Sequence, residues 1–396
     1  MYDVAVIGGG PVGSQVAYKL AEVGYGVVVL EQKKKLGESV CCTGIVGQEC
    51  VSSFTIGDDV ILGRVNRARL FSPAGKLLYL QREETQAYIL DRGSFDAVMG
   101  SRAQSAGAEY ILNSLVRDVE VGDDRVRVGA TRRGEWLDLE ARAVVIATGA
   151  GSGLAEKLGL GKFGDAITGA QAVVETNGVD EVEVYFGQEI APGFFAWLVP
   201  SSAPMARVGL LSRRSSGFHL RKLMLSLLAQ GKIASAEAEL SYSLIPIKPL
   251  ARTYGKRLVV VGSAAGQVKP ITGGGIYYGL LCADIAADSL HQALGNNDLS
   301  ARSLAVYQRR WEAKLKWELE IGYWARKLYE HLSDGQIDRI FGIIKSSGID
   351  EALLKVEDLS FDWHGEAVLR LMKHKAMNTV LGVLKFPFHL RERVQR

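Results

Sequence analysis

Gly8, Gly10 and Gly13 stand at the spacing G-x-G-x-x-G in "VIGGGPVG", after a strand-like apolar run and ahead of the helical "SQVAYKLAEVG"; Glu31 ends the next apolar run, 18 residues beyond Gly13. In that setting the first glycine permits a tight turn, the second lets backbone approach a pyrophosphate, and the third lets helix and strand pack closely. Pro11 and Val12 complete the turn, and the helix that follows points its N-terminus at negative charge. A carboxylate at Glu31, with Gln32 beside it, suits ribose hydroxyls and repels a 2′-phosphate. The ligand expected is a dinucleotide, and NAD and FAD both remain open on this motif alone.

Three further stretches carry reactive or recognition groups. "SVCCTGIV" sets Cys41 beside Cys42, ahead of Thr43 and Gly44, while only Cys50 and Cys282 occur elsewhere. That is too few for a disulfide framework and the wrong spacing for zinc, so no metal is expected and a reducing, cytoplasmic setting is inferred. Neighbouring side chains in an extended loop point to opposite sides. One thiol can then face a reacting group while the other packs inward. "GFFAWLVPSSAPMARVG" alternates aromatics, with Phe194, Phe195, Trp197, Pro200 and Gly209 as its marked positions, which suits a strand's packed face or an apolar substrate wall. "VVVGSAAGQVKPITGGGIYYG" contains Gly262, Ser263, Gly266, Pro270, Gly273, Gly274, Gly275 and Ile276, followed by Tyr277 and Tyr278. A helix expected from about Thr272 would aim free N–H groups at developing negative charge.

These residues need particular elements beneath them. Residues 2–31 read as one βαβ unit with buried strands. The stretch 60–91 is short and strand-like, 90–108 is helical, and strands at 115–121, 125–131 and 143–147 lead into "ATGAGSG", which contains Gly149. A strand-rich region over 166–250 is broken by one helix near 216–230, and the chain after 300 is helical. The fold expected is α/β, a Rossmann-like dinucleotide domain with a discontinuous, strand-rich second domain and a helical C-terminal region. The boundaries expected are 1–60, 90–165 and 250–300 for the first domain, 61–89 and 166–249 for the second, and 301–396 for the helical region.

The chain has 396 residues, of which 47% are hydrophobic and 23% charged, with a net charge of +3, an ordinary balance for packed domains. It opens directly on a strand, so no cleaved leader is expected, and no apolar run is long enough to span a bilayer. The mild charge argues against nucleic acid. From Leu304 to Leu332 apolar residues recur every three or four positions, as a core-facing or lipid-facing helix requires. The tail 373–396 holds six Lys or Arg against one Glu, interleaved with Phe386, Phe388 and Leu390, a pattern that serves as a solvated terminus or as a peripheral anchor on an anionic membrane.

"LDRGSFD", which contains Arg92, and the loop around Gly262–Gly266 resemble the second and third flavin-binding stretches of para-hydroxybenzoate hydroxylase-like flavoproteins. The resemblance implies FAD, with Arg92 on the flavin side and residues 262–275 along the ribityl chain and ring. Ser263 stands where that superfamily usually has aspartate, which weakens the expected grip on the ribityl chain. "FFAWLVP" with Gly209, "VCCTG" and "PITGGGI" are similar to the matching stretches of geranylgeranyl reductases, over residues 1 to about 300, although Val199 and Leu211 depart from that pattern. The activity implied is FAD-dependent saturation of C=C bonds in polyprenyl chains of lipids or related isoprenoids. Cys42 is then the catalytic candidate, Thr43 and Gly44 adjoin the cofactor, and the electron donor is a nicotinamide nucleotide or a ferredoxin-like protein. Two alternatives stand beside it: a flavin-dependent monooxygenase or halogenase on the same scaffold, and a prenyl-lipid-binding protein with weak flavin affinity.

Overall fold

The computed structural model describes residues 1–346, 360–363 and 365. In chain order the strands are β1 (Tyr2–Ile7), β2 (Val27–Leu30), β3 (Ile45–Gly47), β4 (Ile61–Val65), β5 (Arg67–Phe71), β6 (Leu77–Gln81), β7 (Ala87–Leu90), β8 (Glu109–Ile111) and β9 (Ser114–Val121). They continue as β10 (Val126–Arg132), β11 (Glu135–Ile146), β12 (Ala166–Glu175), β13 (Val182–Phe186), β14 (Phe195–Pro200), β15 (Met205–Ser212), β16 (Ser241–Pro246), β17 (Tyr254–Gly255) and β18 (Leu258–Val260). The helices are α1 (Pro11–Glu22), α2 (Gln48–Ser53), α3 (Arg92–Ser105), α4 (Leu154–Lys157), α5 (Ser216–Ala229), α6 (Ile276–Gly295), α7 (Ala301–Glu330) and α8 (Asp334–Ser346).

Two compact units divide the chain: Met1–Val40, Asp91–Ala166 and Ile245–Leu319 form the first, and Cys41–Leu90, Ile167–Leu244 and the chain from Glu320 form the second. The first unit is built on the order β17-β18-β11-β1-β2-β8, with β10 attached to β11 and β9 to β10. β1 pairs in parallel with both β2 and β11, and β11 with β18. From Val4 onward β1, and all of β2, read as apolar runs because Val4, Ala5, Val6, Val28 and Val29 are wholly buried, as strands covered on both faces must be. α1 starts at Pro11, whose fixed φ suits the first helical position, and packs on α3 and α6.

The second unit carries a seven-stranded sheet, β16-β12-β15-β14-β13-β5-β6, and a small sheet β3-β7-β4. Apart from β16 with β12, its pairings are antiparallel except β13 with β5, which is parallel. The loop from Cys41 clusters here and not with the dinucleotide segments, because β3 pairs with β7. The periodic stretch after 300 packs as core: Leu304, Tyr307, Trp311 and Leu315 are buried on α7 in the first unit, and Trp311 Nε1 donates to Thr253 Oγ1 at 2.9 Å. Ile321 and Leu332 are buried in the second, while Trp324 and Leu328 are half-buried. The basic tail 373–396 lies outside the described residues. No helix among the described residues is long and apolar enough to cross a membrane.

Candidate functional site

In the first unit the three glycines of the turn have two different reasons. Gly8 has φ +107°, and a Cβ there would collide with the Ala147 carbonyl; a Cβ on Gly13 would collide with Gly8 O. Both are demanded by packing. A Cβ on Gly10 meets nothing within 4 Å, so that position faces open space. Gly10 is also the N-cap of α1 and offers no side-chain cap, which leaves the first N–H groups of the helix available to an anion. An open cradle at an uncapped helix N-terminus fits a pyrophosphate.

Val12 pins the distant loop to this turn. Its side chain lies 3.0 Å from where a Cβ on Gly262 would sit and 2.6 Å from one on Gly279. Glu31 is buried, and its carboxylate accepts from Gly9 N at 2.7 Å and Lys33 N at 2.9 Å. The acid therefore holds the turn itself. Beside it a shallow cavity of about 460 Å³ is lined by Gln32, Lys33, Asn113, Leu115, Arg117, Thr131, Arg133 and Gly134. Gly149, Gly151 and Gly153, all at positive φ, likewise have open space where a side chain would be.

The third stretch differs from its expected form. α6 begins at Ile276, not near Thr272, because Gly273 takes a left-handed φ of +74° and the chain turns there. Lys269 N donates to Gly274 O at 3.0 Å and Gly273 N to Lys269 O at 2.9 Å, so the three glycines form a turn before an uncapped helix N-terminus. Pro270 precedes that turn. Ser263 lies in the 3-10 turn Gly262–Ala265, its Oγ 3.0 Å from a Cβ position on Gly275, so the serine and the glycine run do come together. Gly266 has φ +75° and abuts Pro249. Gln267, which sequence reasoning missed, is wholly buried; its Oε1 accepts from Gly262 N at 2.7 Å, and its Nε2 donates to Tyr307 Oη at 2.8 Å. A lone glutamine in a loop and a tyrosine 40 residues away gave no signal of that pairing. Tyr277 and Tyr278 do not stand on an open wall. Both are buried in the core of the first unit, with Lys269 Nζ 5.9 Å and 5.5 Å from their rings. Arg92 opens α3 behind the Asp91 cap and pairs with Asp96 at 2.7 Å. Burial raises the Asp96 carboxyl, and Arg92 opposes that shift.

In the second unit the cysteine loop is clamped from three sides. Arg207 Nη1 donates to the Thr43 carbonyl at 2.6 Å and the Leu90 carbonyl at 3.0 Å, and Thr43 Oγ1 donates to Gln171 Oε1 at 2.8 Å. Gly44 takes φ +77°, and its carbonyl accepts from Leu90 N at 2.9 Å. Cys41 was expected to pack inward as a plain hydrophobe. Instead both thiols are half-buried; burial raises the Cys41 thiol, and the neighbouring Ser241 opposes the rise. Arg207, Gln171 and Ser241 were not singled out from sequence.

The aromatic strand has a face. Phe195 and Trp197 are half-buried on one side of β14, with ring centroids 6.0 Å apart, and Pro200 ends the strand. Trp197 is opposite Gly209 on β15, where a Cβ would lie 2.5 Å from the indole. The glycine exists so that the indole can lie across the neighbouring strand. Trp197 Nε1 is buried without a hydrogen-bond partner. Phe194, by contrast, is not wall. It is wholly buried, and the Arg326 guanidinium stacks on its ring at 3.6 Å; burial pushes that guanidinium down to about 9.

Residues 2–182 match the pyridine nucleotide-disulphide oxidoreductase family. The chain is 31% identical over 363 residues to the digeranylgeranylglycerophospholipid reductase of Methanocaldococcus jannaschii, covering 88% of this chain and 93% of that one. The chain belongs to that reductase family. A second such enzyme, digeranylgeranylglycerophospholipid reductase 2 of Methanopyrus kandleri, is 31% identical, with 98% and 99% of the two chains covered. Among solved structures, a geranylgeranyl bacteriochlorophyll reductase-like protein of Thermoplasma acidophilum superposes with a TM-score of 0.85 at 24% identity, covering 97% of this chain and 98% of that one. The flavin-dependent halogenase CmlS superposes at 0.66 with 17% identity, covering 93% and 76%, a likeness of fold alone. This member of the reductase family is an FAD-binding oxidoreductase. Among the described residues no cluster of three or more His, Cys, Asp or Glu could hold a metal ion.

Proposed function

We propose that the chain saturates isolated C=C bonds in the polyprenyl chains of lipids, with FAD as cofactor. The observation that carries this reading is the likeness, near 30% identity over most of both chains, to enzymes named for reducing digeranylgeranylglycerophospholipids. The geometry supports it. In the first unit the turn Gly8–Gly13, the acid Glu31 and the uncapped starts of α1 and α6 would hold the dinucleotide. In the second, Phe195 and Trp197 offer an apolar aromatic face, and Cys42 sits half-exposed in a clamped loop.

When bound and reduced, FAD supplies the hydride equivalent for the alkene. The π bond breaks, two C–H bonds form, and the second hydrogen arrives as a proton. Cys42 Sγ–H is the group assigned to give that proton, and the resulting thiolate is reprotonated from solvent. An unactivated alkene has no oxygen to stabilise, so the chain's task is to position the double bond and exclude water. Arg207 and Gln171 keep the cysteine loop in one conformation, and the aromatic face contributes binding at about 0.8 kcal/mol per buried methylene. The electron donor is a nicotinamide nucleotide or a ferredoxin-like protein. Incubating dithionite-reduced protein anaerobically with a geranylgeranyl lipid and weighing the product tests the reading. A gain of two hydrogens per double bond is expected. Turnover that requires dioxygen would move the chain to the monooxygenases or halogenases.

A further inference from the structure

α5 buries Leu220, Leu223, Met224 and Leu227, a stripe at spacings of three and four that packs on β15. A surface helix with that stripe satisfied should be polar on its other side. Instead Phe218 and Leu225 are 68% and 61% exposed, one heptad apart, with Leu228 also exposed. The edge strand β16 adds exposed Tyr242 and Leu244, and Tyr242 Oη occupies the space beside Gly217 in the first turn of α5, so strand and helix make one continuous surface. Residues 213–236 contain five cations and no acid; Arg213 is paired with Glu330 and Lys232 with Glu183, which leaves Arg214, Arg221 and Lys222 for the outer surface. Arg221 and Lys222 lie between Phe218 and Leu225 on the outward side. Lys222 meets only the exposed Glu189, at 3.1 Å, a surface pair of small worth, and Arg214 and Arg221 have no ion pair among the described residues.

We infer that this face of α5, with the adjoining end of β16, docks on an anionic lipid bilayer. Aromatic and leucine side chains enter the headgroup boundary while neighbouring cations meet the phosphates, the arrangement an interfacial helix requires. A second copy is the poorer occupant, since a two-fold contact through this face sets Arg221 and Lys222 near their own copies. A few exposed apolar side chains also fall well short of the roughly 800 Å² per partner that a stable dimer buries. The inference rests on the prenyl-lipid reading, because a lipid substrate resides in a bilayer.

The test is flotation of the full-length chain with vesicles of phosphatidylglycerol and phosphatidylcholine, and with phosphatidylcholine alone. Binding to the anionic vesicles that weakens with salt is expected. Phe218→Ser with Leu225→Ser, and separately Arg221→Glu with Lys222→Glu, should each lower binding about tenfold or more. Both variants should keep FAD and the reduction of a detergent-dispersed geranylgeranyl lipid, since every changed side chain is exposed. Undiminished vesicle binding by both variants, no binding by the wild type, or a wild-type dimer that Phe218→Ser dissociates would each overturn the inference. Failure of the wild type to reduce the detergent-dispersed lipid would instead strike the functional reading, whatever the vesicles show.

Discussion

Glu31 does two jobs that sequence alone merges into one. Its carboxylate suits ribose hydroxyls, and in the folded chain it already accepts from Gly9 N and Lys33 N. Glu31→Ala should therefore weaken FAD retention about ten- to a hundredfold, the range of one charged hydrogen bond at about 1.5–3 kcal/mol. Glu31→Gln, which keeps an acceptor oxygen, should fall between the two, as measured by flavin occupancy after dialysis; equal occupancy in all three would remove Glu31 from the cofactor site. Cys42→Ala should keep fold and FAD but slow alkene reduction at least about tenfold, or about 1.4 kcal/mol of barrier. Cys41→Ala removes a half-buried sulfur and should cost about 1 kcal/mol of stability with turnover preserved. Full turnover in Cys42→Ala would return both thiols to a packing role.

Two elements show how local geometry is held by remote groups. The short helix α2 begins beside the cysteine loop, and its start is fixed by Asp362, a wholly buried carboxylate that accepts from Gly47 N at 3.0 Å and Cys50 N at 3.1 Å. Trp363 Nε1 adds a bond to Glu49 at 2.5 Å, and a Cβ on Gly47 would collide with the Asp362 carboxylate. Asp362→Ala leaves two buried N–H groups without this acceptor, at about 1–3 kcal/mol each, and should lower the urea midpoint accordingly. An unchanged midpoint would mean that this contact does not form. In the turn before α1 the glycines separate by cause. Gly13→Ala should prevent folding, because its Cβ meets backbone, whereas Gly10→Ala should fold normally and lose FAD, because its Cβ enters the open cradle. Circular dichroism and flavin absorbance on the same preparations distinguish the two; a yellow Gly10→Ala protein would sink the cradle.

At the scale of the whole molecule, both units are assembled from three separated stretches each, so neither is encoded by a continuous segment. The residues matching the oxidoreductase family end at 182, yet β18, which pairs with β11, and α6, which packs on α1, come from beyond 245. Val12 likewise finds Gly262 and Gly279 only across that gap. A fragment of residues 1–182 should therefore lack cooperative unfolding and fail to retain FAD; a soluble, yellow fragment would contradict this. Such long-range pairing also favours slow folding.

The βαβ start, the roles of the three glycines in its turn, the helix at 216–230 and the alternation of Phe195 with Trp197 were legible because each is written in spacings of two to four residues or in a compact motif. The start of α6 at Ile276 and the burial of Phe194, Tyr277 and Tyr278 were not. Periodicity reports which side of an element is apolar, but not whether that side meets solvent, a ligand or another part of the core. The polar clamps were less legible still. Asp362 lies 315 residues from Gly47, Arg207 lies 164 from Thr43, and Tyr307 lies 40 from Gln267. A buried N–H or carbonyl accepts any partner of the right chemistry that packing brings within reach. Sequence by itself therefore determined the dinucleotide turn, the strand and helix periods and the kind of chemistry. Tertiary structure alone decided which carboxylate, guanidinium or amide satisfies each buried group, because that choice is made by distance in space and leaves no mark on spacing along the chain.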